Sequence, residues 1–170
     1  MRKAGSRAPN PRMLCTTARK NRRPNTTVRT KMEFPPLSRE LLIKALSNLG
    51  VTAGPDEDGV LGARFPNAVA QFYLDENFLT AHTIWNEVVA PSSQAEVLEL
   101  VNTLNQGIPT GKVSPVLVEG APTIDVHEHF FAAHGLSENQ LCMMLDAYFQ
   151  IAFMVFDEFE QRGFAQNAQV

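Results

Sequence analysis

A chain of 170 residues with 44% apolar composition and a formal net charge of −3 is sized for one domain around one core. Its most apolar stretch, residues 141–156, contains Asp146 and Gln150, so it falls short of the roughly 20 uninterrupted apolar residues that a membrane-spanning helix needs. The only cysteines are Cys15, in a polar stretch, and Cys142; they do not make a disulfide framework, and a soluble, cytoplasmic protein is expected.

The net charge hides a division. Residues 1–31 hold ten Lys and Arg and no acid, a charge of +10, whereas the other 139 residues set five basic against eighteen acidic side chains, a charge of −13. Residues 1–31 have too few apolar side chains to offset the entropy of ordering, so a disordered basic tail is expected. It lacks the apolar run of a secretory signal, and the amphipathic stripe of an organelle transit peptide is not clear. Three readings of it stay open: contact with nucleic-acid phosphates, attraction to the acidic remainder, or a misassigned start with translation beginning at Met32. Residues 32–163 are expected to form the domain, with 164–170 as a short C-terminal tail.

In the domain, Leu37, Leu41, Leu42, Ala45, Leu46 and Leu49 recur at helical spacing, with Ser38 placed as N-cap and Gly50 as the stop. Beyond a turn-rich stretch, residues 54–59, three segments alternate with period two. Their apolar faces are Leu61, Ala63 and Phe65; then Ala68, Ala70, Phe72 and Leu74; then Leu79, Ala81, Thr83 and Trp85. One apolar face per segment predicts an antiparallel meander covered on one side.

Ser93 and Glu96 have capping-box spacing at the start of a second helix, whose stripe is Val97, Leu98, Val101, Leu104 and Ile108. Two further strands are predicted at 112–118 and 123–131; Pro115 cannot donate to a ladder, so the first of them belongs at an edge or carries a bulge. A last helix is announced by a second capping box, Ser137 with Gln140, and runs to Arg162 and Gly163. Its inner stripe is broadened by Phe149, Phe153 and Phe156, which are taken as the candidate surface of a homodimer.

This order of elements, together with Leu100-Val101-Asn102-Thr103-Leu104-Asn105, Ile108-Pro109-Thr110-Gly111-Lys112-Val113 and Gly135-Leu136-Ser137-Glu138-Asn139-Gln140-Leu141, resembles the bacterial YbjN-domain family. The resemblance runs from residue 37 to 159. It implies an α+β fold of order αβββαββα, an antiparallel five-stranded sheet with three helices like that of the type III secretion chaperones. It also implies frequent homodimers and a regulatory role in sensory transduction, without catalytic residues to carry over. Secretion chaperones of that fold bind extended client segments, an analogy at the level of fold alone.

Asp125, His127 and His129 alternate along the last strand, so they share a face, and imidazole with carboxylate suits zinc or another transition metal. The run His127-Glu128-His129-Phe130-Phe131 lacks the second histidine of a zinc-protease helix, and the three polar side chains are expected on the wet face opposite Ile124, Val126 and Phe130. Residues 107–113 fail as a phosphate loop, because they lack one residue between the glycines and have Val113 where Ser or Thr should hold magnesium. His82 is expected at the surface, and the roles of Asn102 and Asn105 stay open. The expectation is a non-enzymatic protein-binding or regulatory module without cofactor, holding a protein partner at a sheet face or beside the second helix. The alternatives are a nucleic-acid-associated regulator acting through the basic tail, and a metal-dependent hydrolase built on His127 and His129.

Overall fold

The computed structural model describes residues 34–165. The basic tail, Cys15 and residues 166–170 lie outside the described residues.

Helix α1, Arg39–Asn48, starts where the Ser38 hydroxyl accepts from the Leu41 amide, and it buries Leu42, Ala45 and Leu46. The chain then forms β1 (Ala53–Pro55), β2 (Leu61–Arg64), β3 (Ala68–Leu74) and β4 (Phe78–Trp85) as a meander. A single 3-10 turn, Pro91–Ser93, leads into α2 (Gln94–Gly107), followed by β5 (Lys112–Val118), β6 (Ala121–Phe131) and α3 (Glu138–Gln161). The strands lie in the order β1-β2-β3-β4-β6-β5, every pair antiparallel.

The sheet has six strands rather than the five expected. The extra one is β1, three residues within what reads as a turn, too short and too rich in Gly and Pro to show a period of two. The predicted capping box of α2 is also absent: Ser93 makes no side-chain cap bond, because the 3-10 turn already carries the chain into the helix. That of α3 is present, with Ser137 Oγ accepting from Gln140 N and Gln140 Oε1 accepting from Ser137 N.

Helix α3 sets the core. Leu141, Leu145, Tyr148, Ala152, Val155, Phe156 and Phe159 are buried against the apolar face of the sheet, where Phe72 meets Phe149 and Trp85 stacks on Phe156. The rings assigned to a dimer surface are largely used inside the chain. Phe149 and Phe156 are buried, and Phe153 is half-buried with its ring 5.0 Å from that of Phe65. The outward stripe of α3 is instead Met143, Ala147, Gln150 and Met154. The segment expected as a C-terminal tail starts packed, with Phe164 buried and Ala165 bridged to Val89.

One polar pair lies wholly inside. The Tyr148 hydroxyl donates to the Val126 carbonyl at 2.8 Å, which leaves Thr83 Oγ1, 2.7 Å away, to donate to it. Burial pushes the Tyr148 phenol far above its ordinary range, against the lowering effect of the Thr83 bond. A raised folded value means that stability from this group is complete below the unfolded value near pH 10 and is lost as pH rises further. Alkaline titration followed by circular dichroism should therefore show a loss of stability above about pH 10 that is smaller in Tyr148→Phe. At neutral pH that variant should be less stable by about 1–3 kcal/mol, because the Val126 carbonyl loses its phenolic donor and Thr83 its acceptor.

Candidate functional site

Two regions could carry function. The first is on the sheet face opposite the core. Register sets His82 of β4 beside His127 of β6, with Gln71 of β3 and Lys112 of β5 flanking them in the same row. The next row runs Val69, Ile84, Asp125 and Ser114. Asp125 is expected on the wet face, and it is on that face, but it is only 4% exposed. The correction has a physical cause: Asp125 Oδ2 accepts from Nδ1 of His82 at 2.9 Å and from Nδ1 of His127 at 3.1 Å, so two imidazoles pair with the carboxylate and offset its desolvation.

His82 is therefore not a free surface residue but is half-buried, its ring stacked with that of His127 at a centroid distance of 5.4 Å. His129 stays outside this group. It is exposed, shares a hydrogen bond of 2.9 Å with Thr80 Oγ1, and meets His127 edge to face. Of the three sequence candidates, then, Asp125 and His127 come together, His129 does not, and His82 takes its place among the described residues. The carboxylate's other oxygen, Oδ1, is buried without a hydrogen-bond partner among the described residues.

The second region is an apolar groove of about 260 Å³ between α2 and β5, lined by Val89, Val97, Leu98, Pro115, Leu117 and Pro122 among others. Leu98 is 52% and Leu117 73% exposed, an unusual state for two large aliphatic side chains at one concavity. Strand β5 is the sheet edge, as Pro115 predicts, and its free side is blunted. The Asn105 amide donates to the Val113 carbonyl and accepts from the Val113 amide, both at 2.9 Å, as a neighbouring strand would. Two residues on, Pro115 has no N–H to offer, so the edge is guarded against a further strand. Asn105, open in the sequence reading, is thus an edge cap, while Asn102 is exposed on α2.

Residues 38–161 match the family model of YbjN, described as "Putative bacterial sensory transduction regulator". The fold is similar to the crystal structure of "YbjN, a putative transcription regulator from E. coli", with a TM-score of 0.66 and 16% identity over 76% of this chain and 96% of that one. It is also similar to an uncharacterized protein from Methanothermobacter thermautotrophicus, with a TM-score of 0.51 and 19% identity over 74% and 99% of the two chains. No curated protein matches the chain. At these identities the solved structures speak for the fold alone. The family match spans most of the chain, and the protein belongs to the YbjN family.

Proposed function

We propose that this chain is a non-enzymatic regulatory module that holds an extended segment of a protein partner in the groove between α2 and β5. The observation that carries the reading is the pair Leu98 and Leu117, both exposed at one apolar concavity whose sheet edge is capped at Val113 by Asn105 and lacks a donor at Pro115. A partner would then dock through side chains rather than by extending the sheet. Charge supports a partner that also carries Lys or Arg, since residues 32–170 sum to −13 and Glu96, Glu99 and Glu119 stand on α2 and in the β5–β6 turn. Secretion chaperones, whose fold the sequence resemblance implies, hold extended clients in this way; the family's description as a sensory transduction regulator names no client.

The reading includes a homodimer, with the Met143 to Met154 stripe of α3 as the available surface. A monomer mass by light scattering at micromolar concentration would remove that part.

A photo-crosslinking side chain placed at position 117 of the full chain, in growing cells, tests the groove. One recurrent protein adduct, lost when Leu98 is replaced by Asp, is the expected result. Adducts equal in number and kind to those from position 71, on the outer sheet face, would overturn the reading. Because Leu98 and Leu117 are exposed, their replacement by Asp should leave stability within about 0.5 kcal/mol, so a loss of the adduct is not a loss of fold.

A further inference from the structure

His82 and His127 are register partners, so their side chains leave adjacent strands together, and Asp125 leaves β6 on the same face two residues earlier. One ligand atom from each of the three lies within 4.8 Å of the others. The two resolved edges of that triangle, 2.9 Å and 3.1 Å, run from Asp125 Oδ2 to the two Nδ1 atoms. Donors around a tetrahedral ion bound at about 2.0–2.1 Å stand about 3.3 Å apart, so both edges need to open only slightly. We propose that His82, Asp125 and His127 form a three-donor site for one divalent transition-metal ion of the zinc, cobalt or nickel class on the outer face of the sheet.

Two further observations support it. Asp125 is nearly fully buried and its Oδ1 has no partner among the described residues, a state that a carboxylate rarely keeps and that an adjacent cation offsets. Both imidazoles remain partly open, their side chains 33% and 23% exposed, which gives an ion a way in and leaves a fourth position towards solvent. A neutral imidazole can carry its proton on either nitrogen. Moving that proton from Nδ1 to Nε2 frees the Nδ1 lone pair for the ion. His129, tied to Thr80, is not a ligand in this arrangement. The site shares no residue with the groove proposed for a partner, so either could fail without the other.

Titration of the metal-stripped full chain with Co(II), followed by visible absorption and back-titration with Zn(II), tests the site. One equivalent of cobalt with the intense bands of a four-coordinate ion, bleached by zinc, is expected. His82→Ala and His127→Ala should each weaken binding at least tenfold, and His129→Ala should leave it unchanged. Absence of stoichiometric binding overturns the proposal, as does binding indifferent to both His82→Ala and His127→Ala. Should Asp125→Asn fail to fold, the two partly exposed histidine variants still decide.

Discussion

Trp85→Ala is expected to lower stability by about 3–5 kcal/mol, as for other large-to-small changes in a packed core, and the melting temperature by roughly 10 °C or more. The indole ends β4 at 1% exposure, stacks on Phe156 at 6.4 Å with an interplanar angle of 11°, and meets Phe159 at 6.0 Å. It thereby joins the centre of the sheet to the last turns of α3. The Trp85 carbonyl also accepts from the buried Thr123 hydroxyl at 2.8 Å, which fixes the start of β6 against the end of β4. A cavity here takes from Phe156 and Phe159 their aromatic partner on the sheet, and a domain of this size has only about 5–15 kcal/mol in total. Urea unfolding followed by far-ultraviolet circular dichroism measures the loss.

Gly135→Ala should cost roughly 3 kcal/mol, about three times the effect of Gly163→Ala. Both glycines have a left-handed backbone, φ +74° and +71°, which any Cβ disfavours. At Gly163 a Cβ would meet open space. At Gly135 it would run into the Pro35 carbonyl oxygen and lie 2.6 Å from that of Phe34, the stretch that leads into α1. The Leu136 amide donates to the same Pro35 carbonyl at 3.1 Å, so the obstructing oxygen is held in place and has little room to move. The difference between the two variants, measured in one denaturant series, separates the steric cost from the conformational one.

The sequence made some of this legible and concealed the rest for local reasons. The period-two segments fall on β2, β3 and β4 and the last helix on α3, because one-sided burial writes itself into residue order. Strand β1 has no such signature, since three residues cannot show a period and its place rests on pairing with β2. The outer-face cluster was half visible: alternation along β6 puts Asp125 and His127 together, but His82 joins them only because β6 returns to lie beside β4, with β5 outside it. That register is set by the crossover through α2, which residue order does not disclose. His82 nevertheless carried one signal, its place opposite the inward Ala81 and Thr83, which aims it at the same face as a strand neighbour would need. The phenylalanines of α3 misled for a related reason. A wide apolar arc on a helix is compatible with a dimer or with a deep seat, and Phe65, contributed from just beyond β2, supplies the cover that makes it the latter.

The groove is the claim on which the functional account turns, and selection of peptides on the immobilised full chain tests it most directly. Enriched sequences should combine apolar side chains with Lys or Arg, and they should bind at least tenfold more weakly when Leu98 and Leu117 are both replaced by Asp. Equal binding by the double variant, or enrichment of acidic sequences, would contradict it.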